Sequence, residues 1–154
     1  MKILLGLLFA LSLVSCKKEN NTDNDCNWMC NDMLVLDSLQ IRNNLTGTWL
    51  WKRSNGGLAG ETCQTASQAD RVVTLTFASN GTYIKIDNGQ QTTGIWQLTN
   101  VDPDMENKVW GISAAPEDWF TYNPIPQFCS NIRLYLVSNY FIIADGGTGE
   151  YEKQ

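Results

Sequence analysis

The sequence predicts an all-β fold, a small up-and-down antiparallel β-barrel, and three observations carry that expectation. Apolar and polar residues alternate with period two through most of the chain after residue 45, as they do in strands with one buried face. Tight-turn signals punctuate those runs, above all Asn80-Gly81 and Asn88-Gly89, because Asn and Gly tolerate the positive φ of a primed hairpin turn. The runs are short, about eight in all, and follow one another closely, so sequence neighbours should pair in the sheet. Closure into a barrel would remove the two open edges that otherwise invite aggregation. A two-sheet sandwich fits the same turn spacing.

Before that body, the chain carries an address. Met1-Lys2 is a short positive segment, and 3–14 is a nearly unbroken apolar run, too short to span a bilayer and of the length of a signal-peptide core. Residues 1–15 are therefore read as a signal peptide. The run ends Leu13-Val14-Ser15-Cys16, which resembles the lipobox of bacterial lipoproteins at every position. That resemblance implies that cleavage leaves Cys16 first and that Cys16 carries acyl chains such as palmitate, two or more of which make a stable membrane anchor. An ordinary secretory peptide with a chance cysteine is the plain alternative. Residues 16–31 follow as a lipidated cysteine and flexible tether. Lys17-Lys18-Glu19-Asn20-Asn21-Thr22-Asp23-Asn24-Asp25 is polar throughout, with no apolar period. It resembles in part the surface-export signals of Bacteroidota lipoproteins, so the expected location is the outer membrane, on either face. The Asn-x-Thr sequons at Asn20, Asn44 and Asn80 are incidental in that setting.

The body, 32–154, is one domain. Asp32 is expected to cap a short helix carrying Met33, Leu34, Leu36, Ile41 and Leu45, broken by Asn43-Asn44. The first strand spans 46–54 with Trp49 and Trp51 on one face, and a flexible loop runs from Gly56 to Ala69. Strand 71–78 points Val73, Leu75 and Phe77 one way. Strands 82–87 and 90–99 complete a three-strand meander through the two Asn-Gly turns. A polar loop, 100–107, leads to a strand at 108–114. The stretch 115–127 contains Pro116, Pro124 and Pro126, which forbid a central strand. Strand 129–137 is expected to face Ile132, Leu134 and Leu136 inward and Arg133, Tyr135 and Val137 outward. Runs 140–144 and 150–153 close the count.

The set Gly47-Thr48-Trp49, Trp51-Lys52-Arg53-Ser54, Leu75-Thr76-Phe77, Asn80-Gly81-Thr82-Tyr83, Asn88-Gly89 and Gly94-Ile95-Trp96 resembles the lipocalin-like lipoproteins of Bacteroidota over residues 45–154. Gly47 and Trp49 match the G-x-W signature at the start of the first strand. The resemblance implies an eight-stranded barrel behind a lipidated cysteine, and the signature Trp at the closed end, often under an Arg from a late strand. Arg133 is a candidate for that place by cation–π contact, but strand alternation favours a solvent-facing Arg133. Arg133-Leu134-Tyr135 also resembles the Arg-x-Tyr with which fatty-acid-binding proteins hold a carboxylate.

Four cysteines remain after Cys16: Cys26, Cys30, Cys63 and Cys129. An even count in an exported chain suggests two disulfides. Cys63–Cys129 with a local Cys26–Cys30 clip is the favoured pairing, though spacing does not settle it. A zinc site at Cys26 and Cys30 has no His to support it. Asp102-Pro103-Asp104-Met105-Glu106-Asn107 offers oxygen ligands without the glycine or spacing of a calcium loop. No metal and no cofactor is expected.

His is absent, and there is no nucleophile motif and no Gly-rich phosphate loop, so no enzyme is expected. The net charge is −5 with no basic cluster, which argues against nucleic acid. What remains is a monomeric, membrane-attached binding module for a small apolar or amphipathic ligand. Trp51, Trp96, Trp119, Phe120, Tyr122 and Arg133 are the candidate ligand residues, the aromatic loop 119–122 lying where a barrel mouth should open. The alternative is a filled barrel whose loops contact an envelope protein, surface polymer or protease; no particular protein partner is indicated.

Overall fold

The computed structural model describes residues 30–56, 62–102, 104, 108–116, 123–138 and 147–154. They form one helix, α1 (Ser38–Leu45), and nine strands: β1 (Gly47–Gly56), β2 (Thr62–Thr65), β3 (Val73–Phe77), β4 (Thr82–Asp87), β5 (Gln90–Asn100), β6 (Trp110–Ala115), β7 (Ile125–Ser130), β8 (Arg133–Val137) and β9 (Thr148–Lys153). All pair antiparallel in one sheet of order β6-β5-β4-β3-β1-β9-β8-β7, with β2 beside β1. β2 and β3 pair with successive halves of β1, residues 53–56 and 47–50, and so act as one stave. The result is a nearly closed eight-strand up-and-down barrel.

β1 is the hub, because the sheet turns back on it: Trp49 lies opposite Lys153 of β9 and Leu75 of β3. The remaining seam runs between β6 and β7, where the Ile112 N–H donates to the Pro124 carbonyl at 2.9 Å. A Cβ on Gly111 would come within 2.6 Å of the Asn123 carbonyl oxygen, so this approach needs glycine.

The meander β3–β4–β5 forms as expected, with a refinement in its turns. Asn88 and Gly89 both have positive φ (47° and 84°), a two-residue primed turn. At the other hairpin only Gly81 is positive, and the Gly81 N–H donates to the Ala78 carbonyl at 3.0 Å. Three residues, 79–81, therefore make that loop, with Asn80 Oδ1 accepting from the Thr82 backbone N–H and hydroxyl.

Three expectations are corrected, and the exclusion of a central strand by the prolines holds. The helix is capped by Asp37 rather than Asp32: Asp37 accepts from the Gln40 N–H at 2.8 Å while the Gln40 side chain accepts from the Asp37 N–H, a reciprocal cap. The segment 56–69 is not loop throughout, since β2 pairs with β1. The run 129–137 is a hairpin, with Asn131 and Ile132 in the turn and Ile132 61% exposed. Pro126 does lie in a strand, but β7 ends the hydrogen-bonded order, and such a strand tolerates the missing N–H. The run 140–144 and the loop 57–61 lie outside the described residues.

The disulfide pairing is also corrected. Cys30 bonds Cys129, with Cα atoms 6.0 Å apart. The reason is local: the Leu34 N–H donates to the Phe128 carbonyl at 2.8 Å, which lays the segment before α1 along β7. Cys63 is disulfide-bonded as well, and its partner lies outside the described residues.

The helix closes one end of the barrel with the buried residues Ile41 and Leu45. Beneath it Trp49 is fully buried, and its Nε1–H donates to the Leu45 carbonyl at 2.7 Å. Gly47, at φ +130°, starts β1 directly against the Lys153 side chain. Lys153 Nζ lies 5.1 Å from the Trp49 ring centroid and donates to the Asn44 carbonyl. Lys153, from the last strand described, thus holds the place over Trp49 for which Arg133 was a candidate.

Candidate functional site

At the end of the barrel away from α1 lies a cavity of about 400 Å³. Its apolar wall includes Trp51 of β1, Val73 of β3, Leu136 of β8 and Tyr151 of β9, and Arg71 and Lys85 bring charge to it. Two local departures from ideal strands shape it. A bulge interrupts the β1–β9 register between Trp51 and Arg53. Period two from Trp49 and Trp51 would turn Arg53 into the core; the extra residue sends Lys52 and Arg53 outward and lets Ser54 line the cavity. In β4, Tyr83 and Lys85 are the buried residues, whereas Ile84 and Ile86 are exposed on the outer face.

Arg71 stands at the entry to β3. Val72 is fixed by two bonds to Asn88, its carbonyl accepting from the Asn88 N–H and its N–H donating to Asn88 Oδ1. That places Arg71 beside Asp87, which accepts from both Nε and Nη2 of the guanidinium. Lys85 Nζ is 3.8 Å from the same carboxylate. The Arg71 hydrogen bond holds the Asp87 pKa below the ordinary carboxylate value, with the positive charges of Arg71 and Lys85 helping. The contribution of this ion pair to stability is therefore present above the unfolded carboxylate pKa and is lost as pH falls through the depressed one. Burial drives the Tyr151 phenol well above its usual pKa, so it is a neutral hydroxyl at physiological pH.

Of the candidates named from sequence, Trp51 lines this cavity. Trp96 lies toward α1 instead, its Nε1–H donating to the Ala78 carbonyl, Arg42 5.0 Å over its ring and Phe77 edge-on at 5.3 Å. Arg133 is on the outer face, 3.3 Å from Glu150, which also pairs with Arg53. Tyr135 lies on the same side of β8 as Arg133 but is buried, as is Val137, which corrects the expectation that both face outward. The reading of Arg133 and Tyr135 as a carboxylate clamp inside the barrel is thereby corrected, because Leu134 and Leu136 occupy the inward positions of β8. Trp119, Phe120 and Tyr122 lie outside the described residues. Sequence reasoning missed Arg71, Lys85 and Asp87; the signal was present as a lysine and an aspartate at alternate positions of β4, in phase with Tyr83.

A smaller groove of about 300 Å³ on the outer face is lined by Lys52, Arg53, Arg133, Glu150 and Glu152, whose opposite charges pair with one another. Among the described residues no three His, Cys, Asp or Glu side chains come together as a metal site. The Asp104 N–H donates to Asp102 Oδ1, so that carboxylate braces its own loop. No known protein family, curated protein or solved structure matches this chain.

Proposed function

We propose that this chain is a lipid-anchored lipoprotein of a bacterial outer membrane, related to the lipocalin-like lipoproteins and tethered through Cys16. Its barrel would bind a small apolar or amphipathic ligand without catalysing a reaction. The observation that supports ligand binding is the cavity beside Trp51, whose volume falls in the usual range for small-molecule sites, ~300–1,000 Å³. The same volume weighs against a filled barrel that acts only through its loops. The lipobox ending in Cys16 supports the anchor, and among the described residues no helix is long and apolar enough to cross a membrane.

Ligand binding is tested on the mature protein in lipid nanodiscs, with empty discs as the blank. A neutral, environment-sensitive apolar dye is expected to saturate at one per protein and to quench tryptophan emission. Trp51→Phe should remove much of that quenching and Trp96→Phe little of it. Titration without saturation rules the reading out. The anchor is tested separately: Cys16→Ser should abolish labelling by radioactive palmitate and release the protein from the membrane fraction. A variant that stays membrane-bound and labelled overturns the assignment.

A further inference from the structure

β4 lies in the barrel with its charged residues inward. Lys85 pairs across the sheet with Leu75, and Asp87 with Val73, both on the interior face; Ile84 and Ile86 pair with Thr76 and Thr74 outside. A slip of one residue would exchange the two sets, burying two isoleucines and hydrating the lysine. The strand is held otherwise by its pairing with β3, by the Asn88-Gly89 turn and by matching pairs to β5, Lys85 with Thr92 and Ile86 with Gln91. Lys85 is consequently only 7% exposed. Placing an ammonium at such a position carries a desolvation penalty before partners such as Asp87 are counted, and apolar packing alone does not require it. The cation borders a cavity, and that gives its burial a use.

Resting on the ligand-binding reading above, we propose that the cavity receives an amphiphile with a single carboxylate-type anionic head, set against Lys85 and Arg71 with its apolar body against Trp51, Val73 and Leu136. The chemistry of the lining selects the head. Lys and Arg side chains donate hydrogen bonds and accept none, so an acceptor-rich anion matches them and a cationic head repels both. Tyr151, kept neutral by burial, adds no negative charge to oppose such a head. Asp87 does not invert this preference, because its carboxylate is shared between Arg71 and Lys85. The volume limits the body. At about 400 Å³ it stands near the lower end of the ~300–1,000 Å³ usual for small-molecule sites. That suits a medium-length chain or one to two rings.

The test compares octanoate, octanamide and octylammonium on the mature protein in nanodiscs, by calorimetry and tryptophan quenching, with empty discs subtracting partition into lipid. Octanoate is expected to bind saturably and about tenfold or more tighter than octanamide, with octylammonium weakest. Lys85→Met should bring octanoate down to the octanamide level while the neutral dye still binds, and Lys85→Arg should keep most of the preference. Equal binding of the acid and the amide, or tightest binding of the amine, overturns the anionic head and leaves ligand binding standing. Failure of all three probes together with the dye removes the ligand reading itself. The wild-type comparison of heads needs no variant, so it decides the matter even where Lys85→Met does not fold.

Discussion

Trp49→Ala is expected to remove about 3–5 kcal/mol of folding stability, a large share of the ~5–15 kcal/mol that such domains possess. The ring is fully buried among core residues and lies 6.0 Å from the Phe128 ring centroid. Its Nε1–H joins the strand to the last turn of α1 through the Leu45 carbonyl, and Lys153 rests on its face. Truncation therefore leaves a cavity, an acceptor without its donor, and a lysine over empty space. Trp49→Phe separates these terms: it keeps most of the ring but loses the N–H, and should cost about 1–3 kcal/mol. Urea unfolding followed by far-ultraviolet circular dichroism measures both. Ile95→Ala, at a side chain 64% exposed, is the control and should stay within about 0.5 kcal/mol of the parent. An alanine variant that unfolds with the control shows that the ring does not lock this end of the barrel.

The second large effect belongs to the Cys30–Cys129 bond. It ties residues separated by 99 positions, and removing a bond across a loop of that length should cost about 2–5 kcal/mol, chiefly through the greater freedom of the unfolded chain. Cys30→Ser/Cys129→Ser should therefore shift the guanidinium midpoint strongly while leaving the strand signal intact. Peptide mapping without reductant checks the pairing itself. A fragment joining Cys30 to Cys129 is expected, and one joining Cys63 to Cys129 contradicts the structure.

How much of this was legible beforehand depends on how locally each feature is specified. The β3–β5 meander was readable because its turns announce themselves in Asn80-Gly81 and Asn88-Gly89, and its strands alternate cleanly. The β7–β8 hairpin was not: its turn contains no glycine, and Ile132 continues the apparent phase of Leu134 and Leu136 across the bend. The helix cap was hidden by competition, since Asp32 and Asp37 both precede apolar residues and only Asp37 has a Gln three positions on. The disulfide depended on where the segment before α1 lies, which is a tertiary fact. The site was least legible of all. Alternation alone puts Ile84 and Ile86 inside and Lys85 outside, and only the register with β3 reverses them. The bulge at Lys52 likewise has no sequence mark, yet it decides that Arg53 leaves the core and meets Glu150 on the outer face.

Because β1 is bordered on one side by β2 and β3 and on the other by β9, its second edge stays bare until the far end of the domain has been delivered. During synthesis, which runs from the N-terminus, that bare edge is presented until β9 has been made. Ring closure of this kind is a non-local step, slow on the scale of ~milliseconds to seconds. Maturation is thus timed by arrival of β9, and a chain stalled short of it is left with an adhesive flank that any other extended segment can occupy.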